Sequence, residues 1–80
     1  MKMNTVESAT LAAIGYDDTR GILQLEFRSR AIYRYFDVPA PVHEGLVAAS
    51  SKGRYFNGAI RGKYRYLPAV DKRGGAGEEA

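Results

Sequence analysis

Residues 21–28, GILQLEFR, set Leu23, Leu25 and Phe27 in strict alternation with Gln24, Glu26 and Arg28. Side chains leave a strand on alternate faces, so this run reads as a strand with one apolar face buried and one polar face wet. A second extended run, Ala31–Phe36, follows at once, with a turn around Ser29-Arg30 between the two. A connection that short joins antiparallel neighbours. Upstream, Thr10–Tyr16 (TLAAIGY) reads as a further strand, ended by the turn-forming pair Asp17-Asp18. The three runs commit the first half of the chain to an antiparallel meander.

The facing of Tyr33 and Tyr35 hangs on the hairpin register, because a slip of one residue sends every side chain to the other face. A two-residue turn at Ser29-Arg30 pairs Phe27 with Ile32 and sets Arg34 opposite Leu25, leaving Tyr33 and Tyr35 wet. A three-residue loop, Arg28–Arg30, pairs Phe27 with Ala31 and sets Tyr33 opposite Leu25 and Tyr35 opposite Leu23. The first register puts a guanidinium into the core, which is costly unless it finds a partner. The second buries two phenol rings whose hydroxyls reach water or a carbonyl at the core margin. Desolvation favours the second. It leaves Ile22, Ile32 and Phe36 on the outer face as an apolar patch able to contact a partner.

After Val38-Pro39 the period lengthens. Pro41 suits the first turn of a helix, and Val42, Leu46 and Ala49 follow at i, i+4 and i+7. Ser51 is a good N-cap for a second helix over 52–62. That helix would carry Phe56, Ala59 and Ile60 on one face and Arg54, Asn57 and Arg61 on the other. Tyr64–Leu67 reads as a short closing strand or an extended tail. The expected fold is α+β: a three-stranded antiparallel β-meander followed by two α-helices packed on one face, with room for a short terminal strand. Its core is expected at Leu23, Leu25, Phe27, Val42, Leu46, Phe56 and Ile60, with Tyr33 and Tyr35 at the edge. Residues 1–8 read as a flexible leader, 9–68 as one domain, and 69–80 as a disordered tail.

Eighty residues leave no room for a second core. There is no cysteine and one histidine, so thiolate and His-rich metal sites are excluded, and no metal or other cofactor is expected. No run approaches the about 20 apolar residues of a membrane span, and MKMNTVESA lacks the apolar stretch of a signal peptide. A cytoplasmic location, with no membrane partner, is the expectation. The net charge of +3 is unevenly spread: residues 50–73 hold seven basic side chains against Asp71 alone, a local +6, so the remainder is −3. Such asymmetry marks an anionic partner, or a face charged for solubility.

Little here resembles catalysis. His43 and Glu44 are neighbours in sequence and point about 100° apart on a helix, so they form no dyad; His43 is expected to face solvent. Asp17-Asp18 reads as turn chemistry, Ser50 and Ser51 as helix punctuation, and GRYFNGAIRGK lacks the setting and ending of a phosphate loop.

The run Tyr33-x-Tyr35-x-x-Val38-Pro39 continues as Ala49–Gly53 (ASSKG), Tyr55-Phe56-Asn57, Ile60-Arg61 and Tyr64, with YDD…LQLEF before it. This series, spanning Ser8 to Tyr66, resembles the KTSC domain, a short bacterial module named for its place at the C-terminus of some lysyl-tRNA synthetases and also free-standing. The resemblance implies a small non-enzymatic module, with RNA as the partner its synthetase context points to. One departure stands out: the family carries a glycine at the turn before Y-x-Y, where this chain has Arg30. A left-handed turn there would strain an arginine. No synthetase catalytic domain is present on the chain, so aminoacylation is not expected.

Two binding readings follow. In the first, Lys52, Arg54, Arg61, Lys63 and Arg65 form a basic ridge for RNA, Tyr55 and Tyr64 stack on unpaired bases, and Asn57 reads a base edge or a phosphate. In the second, the domain is a protein-interaction adaptor using Ile22, Ile32 and Phe36.

Overall fold

The computed structural model describes residues 1–69. Its elements are β1 (Met3–Thr5), β2 (Leu11–Asp17), β3 (Ile22–Phe27), β4 (Ile32–Tyr35), α1 (Ala40–Ala48), α2 (Lys52–Tyr55) and β5 (Tyr66–Pro68). A π-helical turn, Phe56–Ile60, extends α2. The strands form one sheet in the order β1-β2-β3-β4-β5, every pair antiparallel. The expected meander and both helices are present, the short terminal strand is β5, and the sheet gains one further strand, β1, at its other edge. The proposed tail, 69–80, lies outside the described residues except for Ala69.

The β3–β4 register is the one that desolvation favours: Leu23 faces Tyr35, Leu25 faces Tyr33, and Arg34 is exposed beside Gln24. Arg34 Nε donates to Gln24 Oε1 at 2.6 Å, on the face away from the helices. The loop is the three-residue type. Phe27 N donates to Ala31 O and Arg30 N to Phe27 O, both at 2.9 Å, and Arg30 takes φ +80°. A turn closed by one left-handed residue in this way is the usual three-residue hairpin. At the other hairpin Asp17 Oδ1 accepts from Thr19 N and Arg20 N (3.1 and 3.2 Å), the turn role expected of it.

The β2–β3 ladder shifts between Leu11 and Ala13, so Ala12 is an extra residue. This bulge sends Leu11 and Ile14 both to the helix side, where both are buried. They join Leu23, Leu25, Val38, Leu46, Phe56 and Ile60 in the core. Tyr35, expected at the edge, is 5% exposed and belongs to the core itself, while Phe27, Val42 and Tyr33 pack at its margin.

Three expectations need correction. The leader is not loose throughout, because Met3–Thr5 pairs with Gly15–Ala13 of β2. Arg28 Nε also reaches back to Ser8 O at 2.9 Å, fastening the connection. Ile32 is not a patch residue: β5 flanks β4, Ala69 N donates to Ile32 O (2.7 Å), and Ile32 is only 6% exposed. His43 does not simply face water, for its ring stacks on Tyr16 with centroids 4.4 Å apart.

α1 opens at Pro39 with Pro41 in its first turn, as the fixed φ of proline favours. Ser51 caps α2, its Oγ accepting from Arg54 N at 3.4 Å. Arg61 N then donates to Phe56 O (2.8 Å), the i→i+5 closure of the π turn.

Candidate functional site

On the helix side of the sheet, α1 and α2 leave the β4–β5 end uncovered. Period-two alternation puts Tyr33 and Tyr35 of β4 on this side, and β5 brings Tyr66 opposite Tyr35. With Phe27 and Phe56 they close a ring of five aromatic contacts. Phe56 meets Phe27 (centroids 5.3 Å), Phe27 meets Tyr33 (6.0 Å), and Tyr33 meets Tyr66 (5.6 Å). Tyr66 meets Tyr35 (5.5 Å), and Tyr35 returns to Phe56 (5.8 Å). Four of the five contacts cross at 75–80°, the edge-to-face geometry that aromatic quadrupoles favour.

These rings line an open groove of about 570 Å³, with Ser29 of the hairpin loop and Arg61 also on its wall. Tyr35 and Phe56 are its buried members; Tyr66, 53% exposed, is its open one. Burial pushes the Tyr35 phenol up to about 12, with Tyr66 and Tyr33 adding to the rise and Arg61 opposing it. The Tyr35 hydroxyl in the groove therefore stays protonated at neutral pH. Among the described residues no carboxylate lines the groove.

Arg61 owes its place to the turn that follows the helix. With φ −61°, ψ 126° it precedes Gly62 at φ +74°, and Lys63 N donates to Ile60 O at 3.0 Å. This is a type II turn, whose third position needs a positive φ and so suits glycine. The π closure also takes Arg61 out of the helical register that would have aligned it with Arg54 along one ridge.

The residues expected to bind nucleic acid are thus brought together only in part. Arg54, Asn57, Arg61 and Lys63 are exposed, and none makes an ion pair among the described residues. Lys52 is committed: its Nζ donates to Ala49 O (3.0 Å) at the end of α1. Arg65 lies over the Phe36 ring at 5.0 Å, and its carbonyl accepts from the N–H of the same residue at 2.9 Å. Tyr55 and Tyr64 are half-buried against the core, and the Tyr55 ring packs on Gly45 of α1. Of the apolar patch, Ile22 and Phe36 are half-buried. Tyr66, Phe27 and Ser29 were not among the expected binding residues; Phe27 was expected in the core and Ser29 in the hairpin turn. The signal for Tyr66 lay in the extended run Tyr64-Arg65-Tyr66-Leu67, where alternation sends the two tyrosines to one face and Arg65 to the other.

Among the described residues no three His, Asp or Glu side chains converge as metal ligands, and no helix is long and apolar enough to cross a membrane. Residues 7–64 match the family model of the KTSC domain. A protein of Tsukamurella paurometabola is 43% identical over 63 residues, covering 79% of this chain and 94% of its own. A lysine–tRNA ligase of Nostoc sp. is 45% identical over 60 residues, 75% of this chain but 11% of the ligase. The crystal structure of a KTSC domain protein from Yersinia pestis superposes with a TM-score of 0.83 at 35% identity, covering 85% of this chain and 96% of that one. Sequence match, shared architecture and near-complete coverage agree: the chain belongs to the KTSC domain family.

Proposed function

We propose that this domain is a non-enzymatic binding module for single-stranded or looped RNA. The observation that carries the reading is the exposed cationic segment beside the aromatic groove. Residues 50–69 contain five basic and no acidic side chains, and Arg54, Arg61 and Lys63 remain exposed without an ion pair among the described residues. Unneutralised cations next to exposed aromatic surface suit a polyanion that carries flat bases. The similarity to part of a lysine–tRNA ligase, a protein named for a tRNA substrate, agrees in kind. His43, stacked on Tyr16, and Ser51, capping α2, have structural roles that need no catalysis.

The adaptor reading is weaker on this structure. Of its three residues Ile32 is buried and Phe36 lies under Arg65.

Fluorescence anisotropy of a short mixed-sequence RNA against salt tests the proposal. Three phosphate contacts by Arg54, Arg61 and Lys63, at about −0.7 each on a single strand, give a log–log slope near −2. Replacing Arg54 and Arg61 together by alanine should flatten it by about 1.4. Binding that ignores salt, or that the double variant leaves intact, would refute the assignment.

A further inference from the structure

We infer that the aromatic groove receives one unpaired nucleobase, with an adjoining phosphate held by Arg61. The inference rests on the RNA-binding reading and deepens it by naming where a base sits.

The five rings hold one another, so the groove is formed before any ligand arrives and little side-chain freedom remains to be lost on binding. Its volume of about 570 Å³ falls within the range of small-ligand pockets. Tyr66 is half-exposed and supplies the accessible ring of the set.

Charge narrows the occupant. Aromatic pockets also take ammonium groups through the negative faces of their rings. Among the described residues no carboxylate on the wall supports a cation, and the Arg61 guanidinium there repels one. A flat apolar ring that carries an anion beside it satisfies both features. A nucleotide has both, and Arg61 can meet its phosphate with two parallel N–H donors.

The same wall limits how much sequence can be read. Apart from the Arg61 guanidinium, which is assigned to the phosphate, its polar side chains among the described residues are the hydroxyls of Ser29, Tyr33, Tyr35 and Tyr66. A hydroxyl is both donor and acceptor and turns to suit its partner, so these groups impose no fixed hydrogen-bond code on a base edge. Stacking itself tolerates any base. The site is therefore a base-tolerant anchor, with identity read weakly.

Proton NMR of the tyrosine rings tests the inference, using uridine 5′-monophosphate, adenosine 5′-monophosphate, uridine and inorganic phosphate as probes. Both monophosphates should shift the Tyr33 and Tyr66 ring signals, uridine should do so more weakly, and phosphate alone should leave the rings still. With a short mixed-sequence RNA, Tyr66→Ala should weaken binding about 5- to 150-fold without changing the salt slope, while Tyr66→Phe stays near the parent. Tyr66 is exposed on an edge strand, and the phenylalanine variant controls for any loss of folding. RNA that moves the amides of residues 54–63 but leaves the Tyr33 and Tyr66 rings unmoved would overturn the base pocket and keep the RNA-binding reading. RNA that moves neither would overturn both. Displacement of the monophosphates by a short peptide with a free terminal carboxylate, at lower concentration than RNA requires, would assign the groove to peptide and overturn the inference.

Discussion

Replacing Arg30 by glycine should stabilise this domain, and the reason lies in one backbone angle. Arg30 closes the β3–β4 hairpin at φ +80°, exposed, with no side-chain hydrogen bond or ion pair among the described residues. A left-handed conformation costs an L-residue about 1–2 kcal/mol, whereas glycine adopts it freely. Glycine gives back about 0.5–1 kcal/mol through its more flexible unfolded chain. The net gain is about 0.5–1 kcal/mol, which in a domain of this size raises Tm by about 2–8 °C. Arg30→Ala is the control, since it removes the charge and the long side chain but keeps the Cβ that causes the strain. Thermal and urea unfolding followed by circular dichroism should rank glycine above arginine, with alanine near arginine. If glycine melts no higher than alanine, the left-handed loop, and with it the register argument, is wrong.

Phe56→Ala removes a buried ring that touches both Phe27 and Tyr35. It should cost about 3–5 kcal/mol, comparable to the whole stability of so small a domain, and abolish the cooperative melt. Gly15→Val tests the first strand: a Cβ at Gly15 would meet the Lys2 carbonyl and the Met3 side chain. Unfolding should become easier by about 1–3 kcal/mol, and amide exchange over residues 3–5 should quicken while β3 stays protected; unchanged exchange would deny β1 its place. Tyr35 has a folded pKa of about 12 against an ordinary 10.0. Because the unfolded chain loses this proton first, stability is full below pH 10 and falls as pH rises toward 12. Tyr35→Phe should blunt that alkaline loss, and equal slopes for the two proteins would refute the burial of the phenol.

The central hairpin could be read from sequence because its two registers differ by a guanidinium in the core. Arg34 could not be buried without a partner, and that alone turned Tyr33 and Tyr35 toward the helices. β1 could not be read, since Met3-Asn4-Thr5 has no alternation and becomes a strand only by pairing with β2. Leu11 and Ile14 share a face through the bulge at Ala12, which breaks the period that a reader would count. The site was half visible. Arg61 was named, but as part of an α-helical ridge; a single i→i+5 closure, unmarked in Phe56–Ile60, moves it to the groove wall. Tyr55 and Tyr64 were named for stacking and turn out half-buried, whereas Tyr66, two residues on along an extended chain, faces the groove.

The central claim is that one surface, the exposed turn after α2 together with the groove formed by β4 and β5, meets RNA. Amide NMR spectra of labelled protein titrated with a short mixed-sequence single-stranded RNA at low salt test it most directly. The account predicts progressive shifts confined to residues 54–66 and to Ser29 and Tyr33 across the groove. A spectrum unmoved at millimolar RNA, or shifts gathered instead around Ile22 and Phe36 on the opposite face, would contradict it.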